Sequence, residues 1–417
     1  MDSIIFHIDV NSAYLSWSAV EKLKNGDPTD LRTIPSIIGG DLASRHGIVL
    51  AKSIPAKAYG IHTADPVAQA LRKCPQLVVE PPDHALYDRY SKKLLALLHN
   101  YTSDIEKLSI DECFLDFTPI ARLYESPTAA ASVMQDDIRK QLGFTVNIGI
   151  APNKVLAKMA SDFEKPDRIH TLFPEEIAEK MWPLPVDSLY MVGRSSASRL
   201  KSLGIRTIGE LAATDPDYLQ SEFKSHGITM WEYANGVADS RIDSGSRELK
   251  GVGNSITLRE DARTAADAKK VLLSLSETVS ERLRKAEQIA QTVTVEIKYS
   301  DFSSFSHQAS FFTPTNTTNA IYEKSCHLFD ELWNKEPIRL LGIRTARLLP
   351  SSAPVQMSLF DLTLNQGSVQ AFHQKNSTLP KPSADKLRQL DAAVDSIRHK
   401  YGENAVIRGS FLDRDDF

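Results

Sequence analysis

The chain opens on a short apolar run, Ile4, Ile5, Phe6 and Ile8, that stops at Asp9 and is followed by the turn formers Asn11 and Ser12. An apolar run of that length bounded by turn residues predicts a buried strand. Tyr14–Lys24 reads as a helix closed by Asn25-Gly26. Short strands alternate with turns from Ile34 to Tyr59; Pro66–Leu71 begins a short helix and Leu77–Val79 a strand. Asp83–Tyr101 carries Leu86, Tyr90, Leu94, Leu97 and Leu98 on one helical face. Leu108, Ile110 and then Phe114 alternate as in two short strands, broken at Asp111-Glu112. A helix near Ala129–Leu142, a strand Thr145–Ile150 and a helix Asn153–Phe163 follow. Lys165-Pro166 stops the last of these, because the residue before a proline is pushed out of the helical region.

Leu184–Ala213 contains L-Y-M-V-G-R-S-S-A-S-R-L-K-S-L-G-I-R-T-I-G-E-L-A, a pattern for two short helices about a tight turn. Ala238–Gly251 is a polar, mixed-charge linker. Beyond it the pattern predicts helix Ala265–Glu287, alternating strand Thr292–Tyr299, helix Thr318–Trp333 and strand Arg339–Leu348. Residues Pro350–Pro382 are rich in Ser, Pro, Gln, Asn and Thr and read as a tail without a core of its own. Lys386–Tyr401 places Leu387, Leu390, Val394, Ile397 and Tyr401 on one helical stripe, with Gly402 as its stop. That stripe packs on the body or meets a partner.

Composition narrows the class. With 417 residues, 42% apolar and 24% charged, the chain can bury cores for two to four domains. No apolar run approaches a membrane span, and the N-terminal run is cut by His7 and Asp9 without a cleavage-type site, so neither a membrane segment nor a signal peptide is expected. Cys74, Cys113 and Cys326 have no metal-ligand spacing and are odd in number, which fits a cytoplasmic protein without disulfides. A formal charge of −4 gives no whole-chain basic excess, so any binding of nucleic acid rests on local patches.

The candidate chemistry lies in the interrupted strand pair, K-L-S-I-D-E-C-F-L-D-F. Adjacent strand residues point to opposite faces, so Asp111 and Glu112 reach one ligand only across a turn or bulge. Two carboxylates about 5 Å apart repel by roughly 3 kcal/mol at an effective dielectric of 20, which calls for a cation. Taken alone, the pair suits an exposed strand-to-strand turn better than a metal site. Asp9, a carboxylate ending an apolar strand, supplies the third oxygen donor of a set suited to two hard cations.

Three segments in order, F-H-I-D-V-N-S-A-Y, L-S-I-D-E-C-F-L-D-F and V-N-I-G-I-A-P-N-K-V-L-A-K-M-A-S-D-F-E-K-P, resemble the motifs of the bacterial DinB/UmuC-like, Y-family translesion DNA polymerases. The resemblance runs from residue 3 to about 350 and implies an α+β, right-hand fold. Its parts would be a palm (1–18 and 75–166), small fingers (19–74), a thumb (167–236) with a helix-hairpin-helix-like segment, a linker (237–247), a little finger (248–350) and a tail (351–417). It implies a low-processivity, template-directed enzyme that binds primer–template DNA and dNTPs as a monomer. Two Mg²⁺ ions, replaceable by Mn²⁺, would sit on Asp9, Asp111, Glu112 and the Val10 carbonyl. One would activate the primer 3′-hydroxyl and the other stabilise the departing pyrophosphate. Lys165, Lys57 and the amides of Ser12, Ala13 and Tyr14 would hold the triphosphate, and Tyr14 would be the steric gate against a 2′-hydroxyl. Lys250, Arg339, Arg344 and Arg347 are candidate phosphate contacts, as is Gly193 in the hairpin turn.

The chain departs from the DinB pattern at four positions. Met191 stands for the first hairpin glycine, Ile54 and Lys57 for a Tyr and Arg that reach the β/γ-phosphates, and Leu50 for a small residue above the nascent base pair. Lys57 supplies a point charge instead of a bidentate fork. In the tail, Q-M-S-L-F (Gln356, Met357, Ser358, Leu359, Phe360) resembles the peptide by which bacterial polymerases bind the sliding clamp. Burying Met357, Leu359 and Phe360 would contribute roughly 1.5–3 kcal/mol each against about 1–2 kcal/mol per ordered residue, a weak tether. The alternatives are a weakly active accessory protein that binds clamp and DNA, and a nucleotidyl cyclase with palm-like carboxylates.

Overall fold

The computed structural model describes residues 3–40, 47–245, 248–354 and 384–409. Strand β1 (Ile5–Val10) is buried along its whole length, so its two polar residues, His7 and Asp9, are buried along with the apolar ones. Helix α1 (Ala13–Lys24) follows. Strands β2 (Ser36–Gly39) and β3 (Val49–Lys52), helices α2 (Ile54–Ala58) and α3 (Val67–Lys73), and strand β4 (Val78–Glu80) form a small layer with sheet order β3-β2-β4. Its core is Ile37, Val49, Ala56, Ile61, Val67, Ala70, Cys74 and Leu77.

Helix α4 (His84–Leu98) buries Leu86, Tyr87, Tyr90, Leu94, Leu97 and Leu98, the predicted stripe with Tyr87 added. Next come β5 (Ile105–Lys107), β6 (Glu112–Asp116), α5 (Pro127–Asp137, extended by a π-helical turn to Leu142), β7 (Val146–Ala151), α6 (Lys154–Asp162) and β8 (Ile169–Thr171). They complete a five-stranded sheet of order β5-β6-β1-β7-β8, with β1 antiparallel to both neighbours. Phe6, Ile8 and Val10 face the core shared with α1, α4 and α5, while Ile5 joins the core containing α6. By strand alternation His7 and Asp9 share the α6 face with Ile5.

Four helices follow: α7 (Arg194–Ser202), α8 (Ile208–Ala213), α9 (Pro216–Phe223) and α10 (Ser225–Ala234), packed on the α6 core. The last two were not anticipated in the sequence; Lys224, at φ 57, breaks them into short pieces with little periodicity.

The chain divides into two compact units, one up to Ser246 and one from Arg247. The second contains β9 (Gly251–Ala262), α11 (Ala265–Lys285), β10 (Gln288–Tyr299), β11 (Ser304–Thr315), α12 (Thr318–Leu332) and β12 (Ile338–Pro350), with sheet order β11-β10-β12-β9. Strands β9 and β11 are the two edges, β9 only partly buried and β11 mostly exposed, so their sequences carry no strong apolar alternation and escape a pattern-based reading. The C-terminal helix α13 (Ala384–Tyr401) packs on the body, one of the two outcomes expected for it. It docks largely through an ionic face, with Leu387 and Val394 of the apolar stripe half-buried. Asp391 is buried and accepts from the Thr318 amide at 2.9 Å, Asp395 pairs with Arg284 at 2.6 Å, and Arg398 with Glu277 at 3.2 Å. Leu390, Ile397 and Tyr401 remain exposed.

The approach of α6 to the sheet requires one glycine. A Cβ on Gly149 would lie 1.9 Å from the Ala157 carbonyl oxygen and 2.5 Å from the Ser161 nitrogen, both backbone atoms that cannot turn aside. Gly149→Ala should therefore destabilise the first unit by about 3 kcal/mol or more. Thermal unfolding followed separately in the two units should show the loss in the first alone.

Candidate active site

The site begins as a row across three strands. Asp9 on β1 is paired with Glu112 on β6 and with Asn147 on β7. Directly paired residues share a face, so all three project toward α6. Asp111 joins them from the connecting turn. The expected break at the acidic pair proves to be residues 108–111, with Glu112 the first residue of β6. Leu108 and Ile110 thus belong to the turn and not to a strand. The cause is local: the Ser109 hydroxyl accepts from the amides of Asp111 and Glu112 at 3.3 and 3.1 Å and donates to Asp111 Oδ1 at 2.5 Å. The Val10 amide donates to the Asp111 carbonyl at 3.1 Å, fixing the turn to the end of β1.

Two lysines answer the negative charge. Lys165 Nζ binds Asp9 and, at 2.7 Å, Asp162. Lys158 Nζ lies 2.8 Å from Glu112 Oε1. Burial pushes the Asp9 carboxyl up to about 6 despite the Lys165 ammonium, with the Glu112 and Asp111 charges adding to the rise. Burial alone would lower Lys165, but the Asp9 carboxylate and then Asp162 carry it up to about 12. Lys158 was missed in the sequence because a helical lysine is ordinarily solvated. The available signal was its spacing: Lys154 and Lys158, one turn apart on α6, reach Glu106 and Glu112 respectively.

Hard-oxygen donors backed by a buried, reluctantly ionised carboxylate are the donor set that Mg²⁺ or Mn²⁺ takes. Among the described residues no three acid, His or Cys side chains are drawn together as tightly as a bound ion would hold them. Lysine ammoniums occupy Asp9 and Glu112 instead, marking where positive charge belongs.

Beside the row lies a cavity of about 400 Å³ lined by Asp9 to Tyr14, Leu50 to Ile54, Lys57, Thr63, Asp111, Lys165 and Pro166. Ser12, Ala13 and Tyr14 start α1, and Ser12 takes a left-handed conformation (φ 47) as its cap. First-turn amides have no intrahelical acceptor and are donors for an anion. Tyr14 stacks on Tyr87 with ring centroids 4.4 Å apart and planes 12° from parallel, so it is backed by the buried core. Ile54 is 61% exposed and carries no donor. Lys52, unremarked in the sequence, shares this cavity with Lys57, and its pKa is lowered by burial and then by the Lys57 charge.

The remaining candidates are scattered. Gly193 caps α7 with nothing within 4 Å of where a Cβ would be, leaving its amide end open. Met191 takes φ 71 in that turn, a left-handed conformation glycine adopts more readily, and is exposed. Lys250 is exposed. Arg344 lines the open face of the second unit's sheet, Arg339 lies 4.8 Å over the Phe302 ring, and Arg347 sits farther along β12 at φ 52. The clamp-like peptide, with Gln356, Met357, Leu359 and Phe360, lies outside the described residues. Among the described residues no helix is long and apolar enough to cross a membrane.

The architecture is similar to that of a solved Y-family DNA polymerase chimera, Dbh-Dpo4(243-245)-Dbh, with a TM-score of 0.72 at 22% identity over 83% of this chain and 99% of that one. That likeness defines the fold class. Residues 8–162 match the impB/mucB/samB family, residues 249–359 its C-terminal domain and residues 174–205 the family's HHH motif. The DNA polymerase IV of Clostridium acetobutylicum is 45% identical over 416 residues, covering the whole of both chains. DNA polymerase IV 1 of Bacillus subtilis is 36% identical over 99% of this chain and 94% of that one. The chain belongs to the impB/mucB/samB family and is a bacterial, DinB-like member of the Y family.

The Asp9 carboxyl gives a pH signature. Its folded value, about 6, lies above the ordinary 3.8, so the folded chain keeps a proton that the unfolded chain has already released. Its contribution to stability is therefore present below pH about 4 and is lost as pH rises through about 6. In chelator, the unfolding free energy of Asp9→Asn relative to wild type should rise by about 2 kcal/mol between pH 4 and pH 7. A pH-independent difference would place Asp9 at its ordinary value.

Proposed function

We propose that this chain is a low-processivity, template-directed DNA polymerase that extends primers past damaged template bases by two-metal nucleotidyl transfer. The observation that carries the reading is the convergence of Asp9, Asp111 and Glu112 at one end of a central sheet, beside a cavity floored by Tyr14 and reached by Lys165.

Asp9, Asp111, Glu112 and the Val10 carbonyl would hold two Mg²⁺ ions, for which Mn²⁺ can substitute, supplying Lewis acidity to the primer 3′-hydroxyl and the departing pyrophosphate. Ser109 keeps Asp111 turned toward the row, and Lys158 holds one oxygen of Glu112. Lys165 is the palm's triphosphate cation and Lys57 that of the fingers; the α1 amides at Ser12, Ala13 and Tyr14 receive phosphate oxygens. With Ile54 donating nothing, the fingers grip by charge alone, so the clamp on the β- and γ-phosphates is weaker than a Tyr–Arg pair would make it. Tyr14, braced by Tyr87, lies under the incoming sugar and excludes a 2′-hydroxyl.

In this reading residues 1–18 and 75–166 are the palm, 19–74 the fingers, 167–236 the thumb and 248–350 the little finger. The open amide end of α7 at Gly193 meets one template or primer phosphate. Lys250, Arg339, Arg344 and Arg347 meet others, each worth little singly. Gln356–Phe360 tethers the otherwise monomeric, cytoplasmic enzyme to a sliding clamp.

Single-nucleotide primer extension with Mg²⁺ tests the chemistry. Asp111→Ala with Glu112→Ala should lose about three orders of magnitude or more in rate, the scale of removing transition-state electrostatics. Absence of extension by wild type with intact DNA binding would leave the accessory-protein reading instead. Tyr14→Ala should admit ribonucleotides; unchanged deoxy/ribo selectivity would remove its role as the gate.

A further inference from the structure

Next to Asp9 in the sheet is a buried polar group that the carboxylate chemistry leaves unused. Asn147 is fully buried at the centre of the sheet, in a strand otherwise apolar or glycine. Both donors and both acceptor positions of its side chain are filled. Nδ2 donates to the carbonyls of Ser161 at 3.0 Å and Glu164 at 2.6 Å. Oδ1 accepts from Asn11 Nδ2 at 2.9 Å and from the Arg168 amide at 3.3 Å. Asn11, also buried, extends the contact: its Oδ1 accepts from the Thr145 hydroxyl and from the Asp167 amide, each at 2.9 Å.

The four backbone groups held this way, at residues 161, 164, 167 and 168, bracket Lys165. A lysine has a flexible four-carbon stem, so where its ammonium goes depends first on where its Cα is held. A return loop after a helix is ordinarily among the more mobile parts of a fold. Here it is tied on both sides of Lys165, to Asn147, the cross-strand neighbour of Asp9 on β7, and to Asn11 in the turn just after β1. We propose that Asn11 and Asn147 are positioning residues, a clasp that sets the Lys165 loop in register with Asp9 and so delivers the Lys165 charge to the incoming triphosphate. The inference rests on the reading of Lys165 as a triphosphate cation.

A clasp and a merely structural hydrogen-bond network differ in one respect: only the clasp acts through Lys165. The test is a double-mutant cycle on the full-length polymerase, with KM for dNTP, kcat and primer–template Kd measured for Asn147→Ala, Lys165→Ala and the pair. Asn147→Ala should raise the dNTP KM by roughly tenfold, the scale of removing a group that orients a ligand-binding side chain, with primer–template Kd unchanged. In the Lys165→Ala background the same change should cost less than about twofold, the cycle being strongly non-additive. Equal losses in both backgrounds would overturn the clasp while leaving Lys165 as the cation. A silent Lys165→Ala would instead remove the cation reading and the clasp with it. Should Asn147→Ala fail to fold, Asn11→Ala removes only the outer half and runs through the same cycle. Amide hydrogen exchange adds a readout independent of turnover: Asp167 and Arg168 should exchange at least tenfold faster in the Asn11 or Asn147 variant, with β1 unchanged. Protection equal to wild type would also overturn the proposal.

Discussion

The first unit depends on a carboxylate placed where water cannot serve it. Asp9 ends a strand buried on both faces, and its raised pKa measures the unfavourable electrostatics of that position. A buried charge persists only with a partner, and breaking such a pair costs about 3–5 kcal/mol. Much of the local architecture follows from supplying positive charge at the end of β1. Helix α6 brings Lys158 to Glu112, and the loop behind it brings Lys165 to Asp9. For α6 to come that close the sheet must have no side chain at Gly149. His7 then ties the helix end to β1 through the Ser161 hydroxyl at 2.8 Å, with burial, and then the charges of Lys158 and Lys165, holding its pKa well below the ordinary value. Cation supply and helix packing are one constraint.

What was legible in the sequence was what broke its own context. An acid closing an apolar run and an acidic pair inside another are local contradictions, and those are where a sequence reports chemistry. Helix α4 was legible because fifteen residues of one period average out local noise. The edge strands β9 and β11 were not, because an edge strand, partly buried or exposed, buries too little to impose a pattern. The partners of the carboxylates were hidden for a different reason. Lys158 is unremarkable on a helix until the helix is known to lie over Gly149, and Ser109 is unremarkable until the turn closes around it. Asn147 did leave a trace: a polar residue inside a buried strand needs all its hydrogen bonds met from within. The C-terminal helix was legible only in part, since its apolar stripe was visible, whereas nothing local marks Asp391, Asp395 and Arg398 as its ionic docking face.

The cavity walls differ in stiffness, and that difference bears on selectivity. Tyr14 cannot yield, because Tyr87 stacks behind it and Trp17 and Tyr90 pack beyond. Across the cavity, Lys52 and Lys57 offer ammoniums on flexible stems, and Ile54 offers no polar atom. A rigid steric wall discriminates by excluding one extra oxygen and loses nothing when binding is weak. A clamp of point charges attracts any triphosphate and orients none well. On the proposed reading the sugar test is thus strict and the triphosphate grip loose, two properties set by separate subdomains and free to vary separately.

On the same reading, the palm needs a clasp where the fingers do without one. Misplacing a finger lysine shifts one contact within a diffuse positive field, since Lys52 and Lys57 overlap in what they reach. On the proposed reading Lys165 is more tightly constrained, because it touches Asp9 directly and would have to leave that carboxylate free to serve as a ligand while staying within reach of the phosphates. A group that must serve two partners a few ångströms apart tolerates little drift. A loop anchored by hydrogen bonds at residues 161, 164, 167 and 168 limits that drift without adding a charge to a site already crowded with them. Neutral amides are well suited to such anchoring. A charged anchor beside Asp9 would compete for its carboxylate, whereas Asn147 spends every hydrogen bond on backbone and on Asn11.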